Sequence, residues 1–217
     1  MIIGANGAGK STLLDLICGK TRATEGEIWL RDRNITNIGE AAIARSGIGR
    51  KFQTPTVFKE MTVLENLQVA SHQQLKVLGN LRSRLGTRAN EAESAVAEQT
   101  GLSDLLDRPA RELSHGQLQW LELAMVLSQK PEVILLDEPA AGMTAAETDK
   151  TAELLLSLAG RHTVLVIEHD MVFVRRISRT ITVMHQGKIL AEGTAAQIEN
   201  DNSVIEAYLG SEAIDHD

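Results

Sequence analysis

The chain has 217 residues, 43% of them hydrophobic and 24% charged, with a formal net charge of −7 at neutral pH. That length buries a sizeable core, and a single cysteine excludes a disulfide framework. No apolar stretch nears the roughly 20 residues of a membrane-spanning helix, and the acidity excludes nucleic-acid binding through a general electrostatic footprint. No basic and apolar leader opens the sequence, so a cytoplasmic setting is expected.

Gly4-Ala5-Asn6-Gly7-Ala8-Gly9-Lys10-Ser11-Thr12 fits the phosphate-loop pattern G-x-x-x-x-G-K-[ST], between the short apolar run Met1-Ile2-Ile3 and a helical pattern over 11–20. The glycines let backbone N–H groups turn inward around phosphates. Lys10 reaches the outer phosphates, Ser11 can ligate Mg²⁺, and the helix points its positive end at the anion. The helix is expected to close near Gly19, with Cys18 buried among Leu13, Leu14 and Ile17. Strands are expected over 26–30 and 48–53, separated by the turn-rich Arg31-Asp32-Arg33-Asn34 and a small-residue segment.

From about 62 to 112 the texture changes to Glu, Gln, Arg and Ala with helical patterns at 63–67 and 89–99, which reads as a helical insertion. An α/β pattern then returns. Residues 117–127 read as an apolar helix, 133–136 as a buried parallel strand, 147–158 as a helix, 163–167 as a second buried strand and 171–177 as a helix. Residues 181–184 and 188–191 read as a hairpin across Gln186-Gly187. Strand alternating with helix predicts an α/β fold with a mostly parallel sheet. The chain is expected to be one domain, with core segments 1–61 and 113–209, the helical insertion between them, and a small, acidic tail at 210–217 that frays.

Three features fall at strand ends, where ligands of open α/β sheets collect: the phosphate loop, Asp137-Glu138 and Glu168-His169-Asp170. Asp137, closing an apolar strand, is expected to hold Mg²⁺. Glu138 can take a proton from, or orient, a water that attacks the terminal phosphate, and His169 can hydrogen-bond that phosphate. Considered alone, Asp137 could simply cap a turn and His169 could be a core histidine.

Leu113-Ser114-His115-Gly116-Gln117 leads directly into the apolar helix ahead of the Asp137 strand. It resembles the signature of ABC ATPases, with His115 where that family usually has glycine. The resemblance covers essentially the whole chain and adds Gln53 at a strand end to the ordered set. It implies a phosphate-loop NTPase of the ABC type that binds ATP and Mg²⁺ and hydrolyses ATP between two copies of the domain. Ser114, Gly116 and Gln117 are then expected to act in trans on the facing copy's ATP, and Gln53 to touch Mg²⁺ and the attacking water. Implied partners are transmembrane permease subunits and a second ATP-binding subunit, identical or sister, with a solute-binding protein involved only indirectly and no nucleic acid. The expected location is the inner face of the plasma membrane, reached through the permease.

Within the family, the chain is similar to the ATP-binding subunits of bacterial importers for urea and for branched-chain amino acids. Gly49-Arg50-Lys51-Phe52-Gln53-Thr54-Pro55, Cys18-Gly19-Lys20-Thr21-Arg22, the stretch 114–121 and the stretch 154–170 resemble the urea group most, so urea is the expected solute and branched-chain amino acids the alternative. Pro139-Ala140-Ala141-Gly142-Met143 replaces the family's commoner serine-alanine-leucine-aspartate turn, so an aspartate contact between copies is not carried over. The family also has about thirty residues ahead of the first strand, including antiparallel strands and an aromatic that stacks on adenine. Their counterpart is expected to be missing here, with reduced or silent activity as one consequence. Trp29, Trp120 and Tyr208 are assigned structural roles instead. A chromosome-maintenance ATPase would share the motifs but carry a long heptad coiled coil or a basic face, and neither is visible.

Overall fold

A computed structural model of the protein describes residues 1–51, 57–72 and 88–212. In chain order its elements are β1 (Ile2–Ile3), α1 (Lys10–Ile17), β2 (Trp29–Leu30), β3 (Arg33–Asn34), α2 (Glu40–Arg45), β4 (Ile48–Arg50), α3 (Val63–His72) and α4 (Glu91–Thr100). There follow α5 (His115–Leu127), β5 (Val133–Asp137), α6 (Ala145–Leu158), β6 (Thr163–Ile167), α7 (Met171–Ile177), β7 (Ile181–His185), β8 (Lys188–Gly193), α8 (Ala195–Glu199) and α9 (Asn202–Glu212). These residues divide into two compact units, Met1–Ile43 with Leu135–Glu138 and Leu165–Asp217, and Ala44–Ile134 with Pro139–Val164.

In the first unit the strand order is β5-β6-β1-β7-β8. β1 runs parallel to both neighbours, with Ile2 opposite Ile167 and Thr182, and β7 and β8 form an antiparallel hairpin. The hairpin turn places Gln186 at φ 47° and Gly187 at φ 77°, the paired left-handed conformation of a two-residue turn that matches strand twist. Ile3, Val174, Ile181, Val183, Ile198 and Val204 pack together, so β1 is anchored by α7, β7, α8 and α9 despite its two residues. Cys18 is buried behind α1, as expected, and Gly19 takes φ 76° beyond the helix. The turn-rich 31–34 segment instead contains β3, which pairs with β2 to make a two-stranded ribbon. The strand expected over 26–30 shrinks to Trp29–Leu30, because the ribbon is held by local bonds such as Ile28 N–H to Thr36 Oγ1 (2.7 Å) rather than by a larger sheet.

In the second unit, β4 lies beside the first residues of β5. The Gly47 carbonyl accepts from Glu132 N–H (2.7 Å) and Val133 N–H (3.0 Å), which sets that register. Gly49 is required here: a Cβ would lie 2.6 Å from Val126 Cγ1. The strand expected over 48–53 covers Ile48–Arg50, and residues 52–56 lie outside the described part. α3 and α4 pack on α5, burying Val63, Leu64, Leu67, Ala97, Trp120, Leu121 and Ala124. Asn66, fully buried, bonds Phe58 through both its amide groups (2.8 and 3.0 Å) and so ties the segment entering α3 to that helix. α2 and α8 fall where no helix was expected, and α9 continues to Glu212, so residues 210–212 of the expected fraying tail are helical; residues 213–217 lie outside the described part.

The core of the second unit gives the first prediction. Leu121 is wholly buried in α5, so Leu121→Ala should destabilise the protein by about 2–5 kcal/mol, read as a lower denaturant midpoint.

Candidate functional site

β1 ends at Ile3 and the chain turns at once into the glycine loop. Gly4 adopts φ 152° so close to β7 that a Cβ would sit 2.2 Å from the Met184 carbonyl oxygen, which only glycine avoids. Ala8, buried, accepts a hydrogen bond at its carbonyl from Gly187 N–H (3.0 Å), so the hairpin turn braces the loop from beneath. Gly9, at φ 97°, caps α1. The Lys10 ammonium folds back to donate to the carbonyls of Gly4 (2.7 Å) and Ala5 (3.0 Å). The loop therefore presents a positive charge and the first-turn N–H groups of α1 around one concavity, a cradle made for phosphate.

The next strand ends meet beside it within the same unit. Asp137 closes β5 and is 5% exposed, and Glu138 follows with the left-handed backbone φ of 48°. Its N–H donates to Ile167 O at 3.0 Å, while Glu168 N–H donates to Ile2 O at 3.3 Å. Those bonds bring the carboxylate of Glu138, 42% exposed, to 3.4 Å from Nδ1 of His169, which is 69% exposed. Glu168 is 2% exposed and accepts from His169 N–H (3.1 Å), and Asp170 caps α7 through Val172 N–H (2.8 Å). An exposed His169 paired with Glu138 is not a core histidine. Two solvent-facing groups able to move or hold a proton thus stand at strand ends in the same unit as the loop, with a nearly buried carboxylate, Asp137, one residue before Glu138.

The signature segment belongs to the second unit. Ser114 caps α5, which starts at His115 rather than at the expected Gln117. Ser114 Oγ accepts from Gln117 N–H (3.2 Å) and Gln117 Oε1 accepts from Ser114 N–H (2.9 Å), a reciprocal capping box. His115 Nε2 lies 3.2 Å from the Ala141 carbonyl oxygen, tying the variant position to the turn after β5. α6 has a second capping box, Thr144 with Glu147. The Glu147 carboxylate accepts from Thr144 N–H (3.0 Å), Thr144 Oγ1 (2.9 Å) and Ser114 Oγ (3.2 Å). These donors hold its carboxyl below the usual glutamate range, Thr144 N–H contributing most, then Thr144 Oγ1, with Ser114 and Gly116 N–H adding to it against some desolvation.

Of the residues picked out from the sequence, Gly4 through Thr12, Asp137, Glu138 and His169 come together in one unit, and Ser114, Gly116 and Gln117 in the other. Gln53 lies outside the described residues. Trp120 has the structural role expected of it: it is buried, its indole N–H bonds Thr151 Oγ1 (3.0 Å) and Lys150 stands 4.0 Å over its ring. Trp29 is 56% exposed with its N–H on Glu27 (3.0 Å), and the Tyr208 side chain lies outside the described part. Sequence reasoning missed Thr144 and Glu147, although Thr144-Ala145-Ala146-Glu147 carries the T-x-x-E signal of a helix start. It also missed the buried Lys51–Glu122 pair (3.8 Å), which fastens α5 to the residue just ahead of the 52–56 segment.

A family model described as the ABC transporter matches residues 1–141, and another described as the branched-chain amino acid ATP-binding cassette transporter matches residues 188–214. Among curated proteins, the chain is 43% identical to the high-affinity branched-chain amino acid transport ATP-binding protein LivG of Escherichia coli K12, across 96% of this chain and 86% of LivG. It is 41% identical to BraF of Pseudomonas aeruginosa, similarly described, over the same shares. Among solved structures, an ATP-binding cassette of an ABC transporter in its ADP conformation superimposes with a TM-score of 0.83 at 36% identity, covering 96% of this chain and 86% of that one. The fold is thus the α/β phosphate-loop fold with a mostly parallel sheet that the sequence predicted. The chain belongs to the ABC transporter family, as an ATP-binding domain whose ATPase activity is coupled to transport.

Gly4 generates the prediction here. Gly4→Ala should displace the loop from β7 and weaken nucleotide binding by at least about tenfold, measured by titration with a fluorescent nucleotide, since a carbonyl 2.2 Å from the new Cβ has no room to yield.

Proposed function

We propose that this chain is the ATP-hydrolysing subunit of an importer for branched-chain amino acids. The observation that carries the hydrolytic part is the convergence of the Lys10 loop, Asp137 and the Glu138–His169 pair on adjoining strand ends. The solute part rests on likeness. Curated relatives at 43% and 41% identity are described as branched-chain amino acid transport proteins, and the family description matching residues 188–214 names the same solutes. Those comparisons favour branched-chain amino acids, the alternative expected from the sequence, over urea.

In this reading the N–H groups of Gly4 to Thr12 and the Lys10 ammonium surround the phosphates of ATP. Lys10 exchanges its bonds to Gly4 and Ala5 for phosphate oxygens. The residues that would hold Mg²⁺ are Ser11, Asp137 and Gln53. A hydroxyl in the first turn of α1 and a buried carboxylate closing β5 are the hard oxygen donors that ion takes. When bound, the ion supplies charge neutralisation on the outer phosphates. Glu138 takes a proton from water as the water oxygen bonds to the γ-phosphorus and the bond to ADP breaks, leaving inorganic phosphate. His169, oriented by Glu138 on one side and by its own N–H bond to Glu168 on the other, donates to a γ-phosphate oxygen.

The reaction requires a second ATP-binding subunit, identical or sister. Ser114, Gly116 and Gln117 at the start of α5 meet the γ-phosphate held by the facing copy, where the first-turn N–H groups and the positive helix end favour an anion. ATP then joins the two copies, and hydrolysis releases them. The stretch of about 62–112 is the part proposed to meet the permease, at the inner face of the membrane. Solute choice lies with the permease and a binding protein, and nucleic acid is not a partner.

Two measurements test this. Glu138→Gln should keep ATP binding while hydrolysis falls by about 10²–10⁴-fold; unchanged turnover removes Glu138 from the catalytic role. With permease and binding protein reassembled in vesicles, leucine, isoleucine or valine should stimulate ATP hydrolysis and urea should not. Stimulation by urea alone would reverse the solute assignment.

A further inference from the structure

The α5 donors assigned above to the facing copy's phosphate already hold an anion within this chain. Ser114 Oγ donates to Glu147 Oε1 at 3.2 Å. The approach is close: a Cβ on Gly116 would lie 2.4 Å from Glu147 Oε1 and 2.5 Å from its Cδ. The other oxygen, Oε2, is fixed by the N–H and hydroxyl of Thr144 at 3.0 and 2.9 Å. Glu147 therefore does more than cap α6. It reaches across to the start of α5 and lies over the glycine of the signature.

We propose that Glu147 is an internal anion that occupies the signature donors in the single chain and must be displaced by the γ-phosphate of the facing copy when two copies close on ATP. The inference rests on the trans reading of Ser114 and Gly116 given above. Two anions cannot share one hydroxyl proton, nor both lie against Gly116, so only the fraction of chains with Glu147 withdrawn is competent to close. The ATP concentration needed for closure rises by the reciprocal of that fraction. Withdrawal is possible without unfolding α6, because the Ser114 contact uses Oε1 while the cap of α6 uses Oε2. The same contact gives the closed state a route back: as phosphate leaves after hydrolysis, Glu147 refills the donors and favours separation.

The test uses the full chain carrying Glu138→Gln, which is expected to form ATP-dependent dimers. Dimerisation is followed by analytical ultracentrifugation across an ATP titration, with and without Glu147→Gln. The glutamine keeps an oxygen for the Thr144 cap but carries no charge, and its amide N–H can itself meet a phosphate oxygen. The expected result is dimerisation at an ATP concentration lower by about fivefold, with unchanged affinity of the single chain for nucleotide and an unchanged melting temperature. A residue that only caps α6 would leave the ATP titration where it was or raise it, and that outcome overturns the proposal. If Glu147→Gln fails to fold, Glu147→Asp, which keeps the charge and withdraws it from Ser114, should shift the titration the same way, and no shift overturns the proposal equally. Failure of the Glu138→Gln chain itself to dimerise at any ATP concentration would instead overturn the trans reading, and this inference with it.

Discussion

Two backbone hydrogen bonds at the carboxyl ends of β5, β6 and β1 hold the proposed chemistry in place. Glu138 N–H reaches Ile167 O at 3.0 Å and Glu168 N–H reaches Ile2 O at 3.3 Å, with Ile2 in register with Ile167. Parallel neighbours end at the same level, so the loops that follow them open on one side of the sheet. A slip of one residue in this ladder would turn each strand's side chains to the opposite face. Asp137, buried at the end of β5, and the exposed Glu138 beside it would then exchange environments. The phosphate loop depends on the same ladder through β1 and on the adjoining hairpin, since Gly4 abuts the Met184 carbonyl and Ala8 O receives Gly187 N–H.

The electrostatics of the site follow from that packing. Asp137, Glu138 and Glu168 bring three carboxylates to neighbouring strand ends, with the His169 ring against two of them and Lys10 held on the Gly4 and Ala5 carbonyls of the loop. Glu138 takes a left-handed backbone conformation that costs a non-glycine residue on the order of 1–3 kcal/mol, maintained by its N–H bond to β6. What that conformation achieves is direction: the carboxylate faces His169 and solvent, where a water can be reached, while Asp137 one residue earlier stays buried. The start of α5 follows the opposite logic. There the donors outnumber the charges, and Glu147 fills them from within the chain.

The chemistry was the most legible part of the sequence because it is carried by residue type at fixed spacing. The Gly4–Thr12 pattern, the acidic end of 133–136 and Glu168-His169 each announce a strand end, and the structure brings those segments together. The ribbon Trp29–Leu30 with Arg33–Asn34 was less legible, because strands of two residues give no periodicity and their pairing is fixed by side-chain-to-backbone bonds in the turn. The start of α5 was placed two residues late, since His115 and Gly116 are poor helix formers and the capping box overrides their propensity. The Ser114–Glu147 contact spans 33 residues and was invisible to any local rule. The solute was the least legible part: the comparisons back branched-chain amino acids, the alternative, better than urea, and the residues quoted for the choice lie in the ATP-handling part of the chain.

The central claim is that one complete site is built from two chains, with the Lys10 loop of one facing the Ser114 segment of the other. Complementation tests it most directly. Lys10→Ala and Ser114→Arg chains are each assayed alone and then mixed, with ATP hydrolysis followed at a protein concentration where the unaltered chain is active. The account predicts two inactive variants and recovered hydrolysis in the mixture, where one intact loop can face one intact signature. A mixture as inactive as its components, beside an active unaltered chain, would contradict it.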